Sequence, residues 1–364
     1  HPGDDPFYWV VGFNIDRYFF GYHYEFMKKG FIGTIFHFIH IVPTRRLVYL
    51  VSWVNANFFL ILFLMYVKKM MALIPQKQFS LYILFFILSP AVSIQLGYSA
   101  GQFDHFLILI TLTSLFILAG KYKFSYFVIP ILMVIGLLIH EGFLFFHIPV
   151  ILAVVLNEIK KGDFKFHLFL ITSFTITFAL YFIFIYAETI SDDTLQSLLE
   201  IFNGEVGLSK DPDFYASSQR IWKVTLHTLS LYTHWQTWIG FFMSSLILGI
   251  YFKPYLRTFN KHMGDIFILM VLFSPFAIFP MFIVADTFYR WFGLILINMF
   301  LLYPYLIKEF KIADLYENFN RIEKACVKTG FILFILGPIG LPTALPYVDA
   351  FLRKLLNISL FVIL

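Results

Sequence analysis

Histidine and carboxylate side chains that interrupt long apolar stretches are the first candidates for chemistry in this chain. His140 and Glu141 are adjacent, followed by Gly142, within the apolar stretch 125–157. Burying ionisable groups in such a stretch is costly, so they are retained mainly for function. A carboxylate beside an imidazole could take up and release a proton in an acid–base reaction. The alternative is a structural histidine that neighbouring groups satisfy.

Two more polar groups stand where one apolar stretch ends and another begins. Asp104 opens the stretch 105–120, where its carboxylate could act as a base or could cap a helix N-terminus. Asp286 and Arg290 are four residues apart, which allows them to face each other on a helix. Arg290 could grip a phosphate group through two N–H donors, or it could extend to the membrane surface. Trp291 is either a contact for the same ligand or an interfacial aromatic residue.

Four residues in polar segments complete the candidate site. Asp4 and Asp5 form a pair that could supply a general base or oxygen ligands for a divalent cation, or could belong to a solvated loop. Arg220 and Trp235 could add a cationic contact and an aromatic surface on which a sugar ring stacks. No pattern in the sequence requires a cofactor, although the aspartate pair could accept a divalent cation.

The composition assigns these residues to a helical membrane protein. Hydrophobic residues make up 60% of the chain and charged residues 13%, against about 45–50% and about 25% in soluble domains. The single cysteine, Cys326, excludes a disulfide scaffold, and the hydrophobicity excludes disorder. No polar linker separates domains, so we expect residues 1–364 to form one all-α, polytopic integral membrane domain.

The length of the apolar stretches predicts about ten transmembrane helices. A spanning helix needs about 20 apolar residues. The stretch 125–157 is too long for one helix, and its interruption at His140 predicts two short helices that meet at a buried turn. The candidate spans, followed by a last apolar stretch at 355–364, are 47–67, 80–96, 105–120, 125–139, 142–157, 166–187, 236–252, 265–284, 291–307 and 329–346.

The distribution of charge predicts the orientation of these spans. If segment 1–46 lies outside and the spans alternate, inner segments receive 16 basic and 7 acidic residues, and outer segments receive 11 and 15. Basic residues are held on the inner side of membranes, so this orientation is self-consistent. It also explains the net charge of +5 without nucleic acid as a partner. Every candidate residue then falls at the outer face.

Three segments outside the spans have predicted positions. The large outer segments are 1–46 and 188–235, and an interfacial helix is expected on the inner side at about 308–328. The apolar stretch 31–43 is too short to span a bilayer and predicts an amphipathic helix at the outer surface, a juxtamembrane helix. Because the chain opens at His1 rather than Met, we expect further residues, including a first transmembrane helix, to precede it.

Taken together, these motifs show a resemblance to bacterial multi-spanning glycan-assembly proteins. The chain resembles both the GT-C-type glycosyltransferases, which use polyprenyl-phosphate sugars, and the Wzy-type polymerases of O-antigen and capsule. The resembling features are the acidic first segment from Asp4-Asp5 to Glu25, the juxtamembrane piece 24–33, Gly101-Gln102-Phe103-Asp104, His140-Glu141 and Asp286 with Arg290-Trp291.

The resemblance implies transfer of a sugar or oligosaccharide from a polyprenyl-(pyro)phosphate carrier to an acceptor glycan. In GT-C-type enzymes an acidic residue of the first outer loop is the expected base, which would be Asp4 or Asp5. In Wzy-type polymerases outer-face arginines are expected to engage the lipid pyrophosphate, which would be Arg290 and Arg220. The partners would be membrane lipid and the lipid-linked sugar.

Two other functions stay open at the level of the sequence. One is a transporter or flippase of lipid-linked sugars, and the other is a non-catalytic subunit of a membrane assembly. Transporters of many folds contain inverted repeats and place polar groups near the bilayer midplane. Here no repeat is visible and the polar groups are skewed to the outer face, which favours the enzyme. The expected location is the bacterial inner membrane, with multiple passes.

Overall fold

The computed structural model describes residues 17–23, 29–72, 74–87, 101–120, 122, 124–160, 265–284 and 288–310, with isolated residues between 172 and 249 and at 321 and 325. All regular structure in these residues is helical. The α-helices are α1 (Gly30–Phe38), α2 (Arg45–Met70), α3 (Gln76–Ile87), α4 (Asp104–Gly120), α5 (Ser125–Ile139), α6 (Phe143–Phe146), α7 (Ile148–Lys160), α8 (Ile266–Phe273), α9 (Met281–Val284) and α10 (Phe288–Phe310).

The helices lie where apolar stretches of the sequence predict them. Helix α1 overlaps the predicted juxtamembrane stretch 31–43, and α2 to α5 and α10 each overlap a predicted span. The predicted spans 166–187, 236–252 and 329–346 lie outside the described residues, apart from isolated positions, as do the outer segment 188–235 and most of the inner helix predicted at 308–328. The described part of the chain is therefore confirmed as all-helical.

Two of the described helices are long and apolar enough to cross a membrane, Arg45–Met70 and Arg290–Phe310. They differ in their surroundings. Most of the apolar surface of α2 is exposed, including Trp53, Phe58 and Ile61, whereas the apolar residues of α10 are almost all buried. A lipid-facing helix and a central core helix would show this contrast, since lipid covers apolar side chains that protein leaves open.

Two stretches that we predicted as single helices are broken. The predicted helix 142–157 consists of the one-turn helix α6 and the longer α7, which are interrupted at His147. The predicted helix 265–284 consists of α8, a 3₁₀ turn at Ser274–Ile278 and α9. Pro149 and Pro275 lie at these breaks, and proline removes the N–H that a helix interior requires.

Helix α10 forms the centre of the packed bundle. It contacts α2, α4, α8 and the 3₁₀ turn, while α4 packs against α2, α5 and α7. Helix α1 packs against α5. The N-terminal ends of α4 and α10 and the C-terminal end of α5 therefore come together at one end of the bundle, which is the end that the charge distribution predicts to be outside.

Pro304 lies inside α10, and a tyrosine from α3 compensates for it. Proline has no N–H to donate to the carbonyl four residues earlier, which here is that of Phe300. The Tyr82 hydroxyl donates a hydrogen bond to this carbonyl, and the Tyr66 hydroxyl donates to the next one, that of Leu301, at 3.0 Å. The two tyrosines thereby attach α3 and α2 to the backbone of the central helix.

We expect Tyr82→Phe to lower the free energy of unfolding by about 1–2 kcal/mol, because it leaves the buried Phe300 carbonyl without a donor. The matched control is Tyr66→Phe, which should cost less, since the Leu301 carbonyl can also accept the helical N–H of Tyr305. Thermal unfolding of the detergent-solubilised variants measures both. Equal losses for the two variants would contradict this role of Tyr82.

Candidate functional site

A buried ion pair joins the first turns of α4 and α10. Both carboxylate oxygens of Asp104 accept hydrogen bonds from Arg290, one from Nε and one from Nη2. Asp104 has no exposed surface and Arg290 is buried. The guanidinium carbon lies 4.8 Å from the centre of the Trp291 ring and 6.0 Å from that of Phe146. The aromatic rings and the carboxylate thus fix the orientation of this guanidinium.

Arg17 brings a second buried guanidinium close to this pair. Burial, followed by the charge of Arg290, lowers the pKa of Arg17 to about 10, while Asp104 and Glu141 act in the opposite direction. Arg17 is therefore still protonated at neutral pH. Its neighbour Tyr18 packs between Phe36 of α1 and Phe103, with ring centres 5.5 Å and 5.3 Å apart.

Glu141 and Lys29 form a more accessible ion pair at the same end of the bundle. Lys29 Nζ lies 3.8 Å from Glu141 Oε1, and the Glu141 side chain keeps a fifth of its surface exposed. Lys29 immediately precedes α1 and has a left-handed φ of 64°. Glu141 lies in the turn that follows α5. This pair consequently links α1 to the turn at His140–Gly142.

His140 lies next to Glu141 with one nitrogen already used. The backbone N–H of Gly142 donates to His140 Nδ1 at 2.9 Å. His140 Nδ1 is also 3.4 Å from Glu141 Oε2. Because Nδ1 accepts a hydrogen bond, the neutral ring carries its proton on Nε2. The side chain therefore stabilises the turn and presents an N–H, not a lone pair, at its other nitrogen.

The loop before α4 is attached to α2 by a hydrogen bond from its backbone to a serine side chain. Gly101 has a φ of 86°, which favours glycine, and its N–H donates to Ser52 Oγ at 2.8 Å. Three residues later the chain enters α4 at Asp104. This contact fixes the level at which the carboxylate of Asp104 meets Arg290. We refer to Arg17, Lys29, Asp104, Glu141 and Arg290 as the charged cluster.

His147 and Asn298 form a buried pair that sequence reasoning missed. Asn298 Nδ2 donates to the Phe146 carbonyl at 2.5 Å, and Asn298 Oδ1 lies 2.9 Å from His147 Nδ1. Neither side chain has exposed surface. The available signal was Asn298 itself, an amide in the middle of the apolar span 291–307. Such a polar residue needs a partner, which α6 supplies.

A second polar contact lies at the opposite end of α7 and α10. Asn157 Nδ2 donates to the Tyr305 hydroxyl at 2.7 Å, and that hydroxyl donates to Glu158 Oε1 at 2.5 Å. All three side chains are buried. These bonds give the buried Glu158 carboxylate a donor and attach α7 to α10 at their C-terminal ends.

The structure brings together five of the residues that the sequence singled out. Asp104, His140, Glu141, Arg290 and Trp291 all lie at one end of the bundle, with Arg17 and Lys29 added to them. The other five, which are Asp4, Asp5, Arg220, Trp235 and Asp286, lie outside the described residues. Within the described ranges no group of three or more histidine, cysteine or acidic residues could hold a metal ion.

No protein-family model, curated protein or solved structure matches this chain. The fold and the site therefore define its class on their own. In its described residues it is an all-helical protein with two helices able to cross a membrane and a buried charged cluster at one end of the bundle.

Proposed function

We propose that this protein is a membrane glycosyltransferase or polysaccharide polymerase. It would transfer a sugar or oligosaccharide from a polyprenyl-phosphate or polyprenyl-pyrophosphate carrier to an acceptor glycan, at the outer face of the bacterial inner membrane. The observation that carries the proposal is the charged cluster, in which three cations and two carboxylates meet at the helix ends predicted to lie outside.

The cations of the charged cluster suit the leaving group of such a transfer. Arg290 is already neutralised by Asp104, whereas Arg17 is buried beside the pair and Lys29 lies beside the partly exposed Glu141. A phosphate or pyrophosphate brings negative charge that arginine and lysine bind strongly. Positive charge held in place before the reaction also stabilises the phosphate as it departs.

The carboxylates would have different roles. Both oxygens of Asp104 are bonded to Arg290, so we assign Asp104 to holding that guanidinium rather than to accepting a proton. Glu141 keeps exposed surface and can contact the acceptor sugar. Trp291, whose ring lies against Arg290, supports the guanidinium from α10. A sugar activated by a lipid phosphate needs no nucleotide-binding loop, and the sequence has no Gly-rich phosphate motif.

The proposal is tested by deleting the gene in its own host and restoring it with variants. We expect the deletion to remove a surface glycan and to cause a polyprenyl-linked precursor to accumulate. Arg17→Gln and Lys29→Gln should each restore less than a tenth of the glycan, because each removes a cation from the phosphate site. The matched control Lys68→Gln changes an exposed lysine at the other end of α2 and should restore it fully. Unchanged glycans in the deletion strain would refute the proposal.

A transporter of lipid-linked sugars is the second candidate, and one observation favours it. The helical run from α5 to α7 is broken at His140–Gly142 and again at His147. Broken helices of this kind line the substrate sites of many transporters. Purified protein in proteoliposomes that contain the precursor lipid separates the two functions. A new glycosidic bond supports the transferase, whereas movement of the lipid without covalent change supports the transporter.

A further inference from the structure

The two histidines near the charged cluster hold their protons on opposite nitrogens. Asn298 Nδ2 donates to the Phe146 carbonyl, so the atom that faces His147 is the amide oxygen Oδ1. An oxygen there accepts a hydrogen bond, which places the proton of His147 on Nδ1 and the lone pair on Nε2. His140 has the reverse arrangement, because its Nδ1 accepts the Gly142 N–H.

The lone pair of His147 has no hydrogen-bond donor among the described residues. Nε2 is buried and makes no hydrogen bond there, and the whole side chain lacks exposed surface. Leaving a buried acceptor unsatisfied costs about 1–3 kcal/mol. An unsatisfied group that is retained at this cost requires an explanation, and a catalytic role is one of the few available.

His147 and the ion pair of the charged cluster share Phe146 as a neighbour. The centre of the Phe146 ring lies 5.0 Å from that of Trp291 and 6.3 Å from that of His147. The guanidinium carbon of Arg290 lies 6.0 Å from the centre of the same ring. Phe146 therefore contacts both the imidazole of His147 and the guanidinium of the ion pair.

The other candidate bases of the site are less suited to take a proton. Asp104 has both oxygens bonded to Arg290. His140 has its lone pair engaged by Gly142 and presents an N–H instead. Glu141 is paired with Lys29, whose ammonium nitrogen lies 3.8 Å from Glu141 Oε1.

We propose that His147, oriented by Asn298, accepts the proton of the acceptor hydroxyl at Nε2, directly or through one intervening water. This inference rests on the proposed transferase function. In the step, the acceptor oxygen forms a bond to the anomeric carbon as its proton passes to Nε2. The bond from that carbon to the lipid phosphate oxygen breaks, and the phosphate leaves with the electron pair. The imidazolium then releases its proton to water.

The variant His147→Asn separates this role from a structural one. An asparagine amide nitrogen can occupy the place of Nδ1 and still donate to Asn298 Oδ1, but nothing remains at the place of Nε2. We expect the variant to accumulate in membranes at the wild-type level and to unfold at a similar temperature. Its rate of transfer should be at least 100-fold lower, since general base catalysis contributes about 10²–10⁴-fold. The rate is measured with purified protein and a lipid extract of the deletion strain as substrate.

The variant Asn298→Asp tests the same role through pH. A carboxylate beside Nδ1 favours the protonated imidazolium, which cannot accept a proton. Measured from pH 3 to pH 8.5, the pH below which activity is lost should therefore move upwards by at least 1 unit in this variant. This fall in activity at low pH is the acid limb of the pH profile. If His147 has a purely structural role, the acid limb stays at the same pH in the variant.

The outcomes distinguish this inference from the proposed function. If the wild-type protein consumes no polyprenyl-linked material from the extract, the proposed function fails. If the wild type is active and His147→Asn has the same rate, the transferase stands and the role of His147 is overturned. In that case Glu141→Gln identifies whether the carboxylate is the base. Loss of rate in His147→Asn together with a shifted acid limb in Asn298→Asp supports the inference.

Discussion

Asp104→Asn is expected to lower the free energy of unfolding by about 3–5 kcal/mol, because it leaves a buried guanidinium without its counter-charge. Asp104 is fully buried and bonded through both oxygens to Arg290, and asparagine can neither carry the charge nor accept both N–H groups. Thermal unfolding in detergent, followed by tryptophan fluorescence, measures the loss. Transfer activity should fall with it, because Arg290 loses the group that orients it.

The partner variant and two controls make this prediction specific. Arg290→Gln should be comparably destabilising, since it leaves a buried carboxylate unpaired. The double variant of both positions should lose less than the sum of the single losses, because neither charge then remains buried alone. Arg46→Gln, which removes an exposed arginine at the start of α2, should change the stability by less than about 1 kcal/mol. A loss below about 1 kcal/mol for Asp104→Asn would contradict the prediction.

Gly33→Ala is expected to displace the segment that carries Arg17 from helix α1. A Cβ atom on Gly33 would lie 1.8 Å from the carbonyl oxygen of Phe20 and 2.7 Å from that of Tyr18. Both are backbone atoms, so the segment 17–23 as a whole would have to shift. Overpacking of this kind costs about 1–3 kcal/mol, and occasionally more. The shift would also strain the hydrogen bond from the Tyr22 N–H to Thr34 Oγ1, which is 2.7 Å long.

Gly249 provides the matched control for this substitution. Nothing lies within 4 Å of a Cβ atom built there, and the residue is helical. Alanine is favoured over glycine in a helix by about 1 kcal/mol, so Gly249→Ala should be neutral or stabilising. We expect Gly33→Ala to lower both the unfolding temperature and the transfer activity. Equal behaviour of the two alanine variants would show that α1 and segment 17–23 do not pack as described.

The sequence predicted the helices and their ends better than it predicted which side chains contact each other. Apolar stretches bounded by polar residues placed α2, α4, α5 and α10 within a few residues, because burial in lipid or protein requires a continuous apolar helix. The breaks within 142–157 and 265–284 were missed. The prolines that accompany them are visible in the sequence, but proline also occurs inside unbroken helices, as Pro304 does in α10.

The candidate site shows what a single sequence can and cannot supply. The distribution of charge along the sequence predicted that Asp104, Glu141 and Arg290 lie on the same side of the membrane. The structure brings these three residues to one end of the bundle. The pairing of Asp104 with Arg290 could not be predicted from the sequence, because 186 residues separate them. Sequence spacing reveals only pairs that lie about one helical turn apart. Arg17 received no role in the predicted site, because nothing in a polar segment indicates that packing of Tyr18 will bury its neighbour.

The hydrogen bond from Gly101 to Ser52 sets the depth of the charged cluster relative to α2. Leu47 begins the apolar stretch of α2, and Ser52 follows it by five residues, which is about 7 Å along a helix axis. Segment 101–104 is tied to that level. With α2 across a bilayer in the predicted orientation, the ion pair would lie just beneath the outer headgroups. Under the proposed function, a lipid carrier would then bring its phosphate to the cluster from within the leaflet, whereas a water-soluble donor would have to enter from the aqueous side.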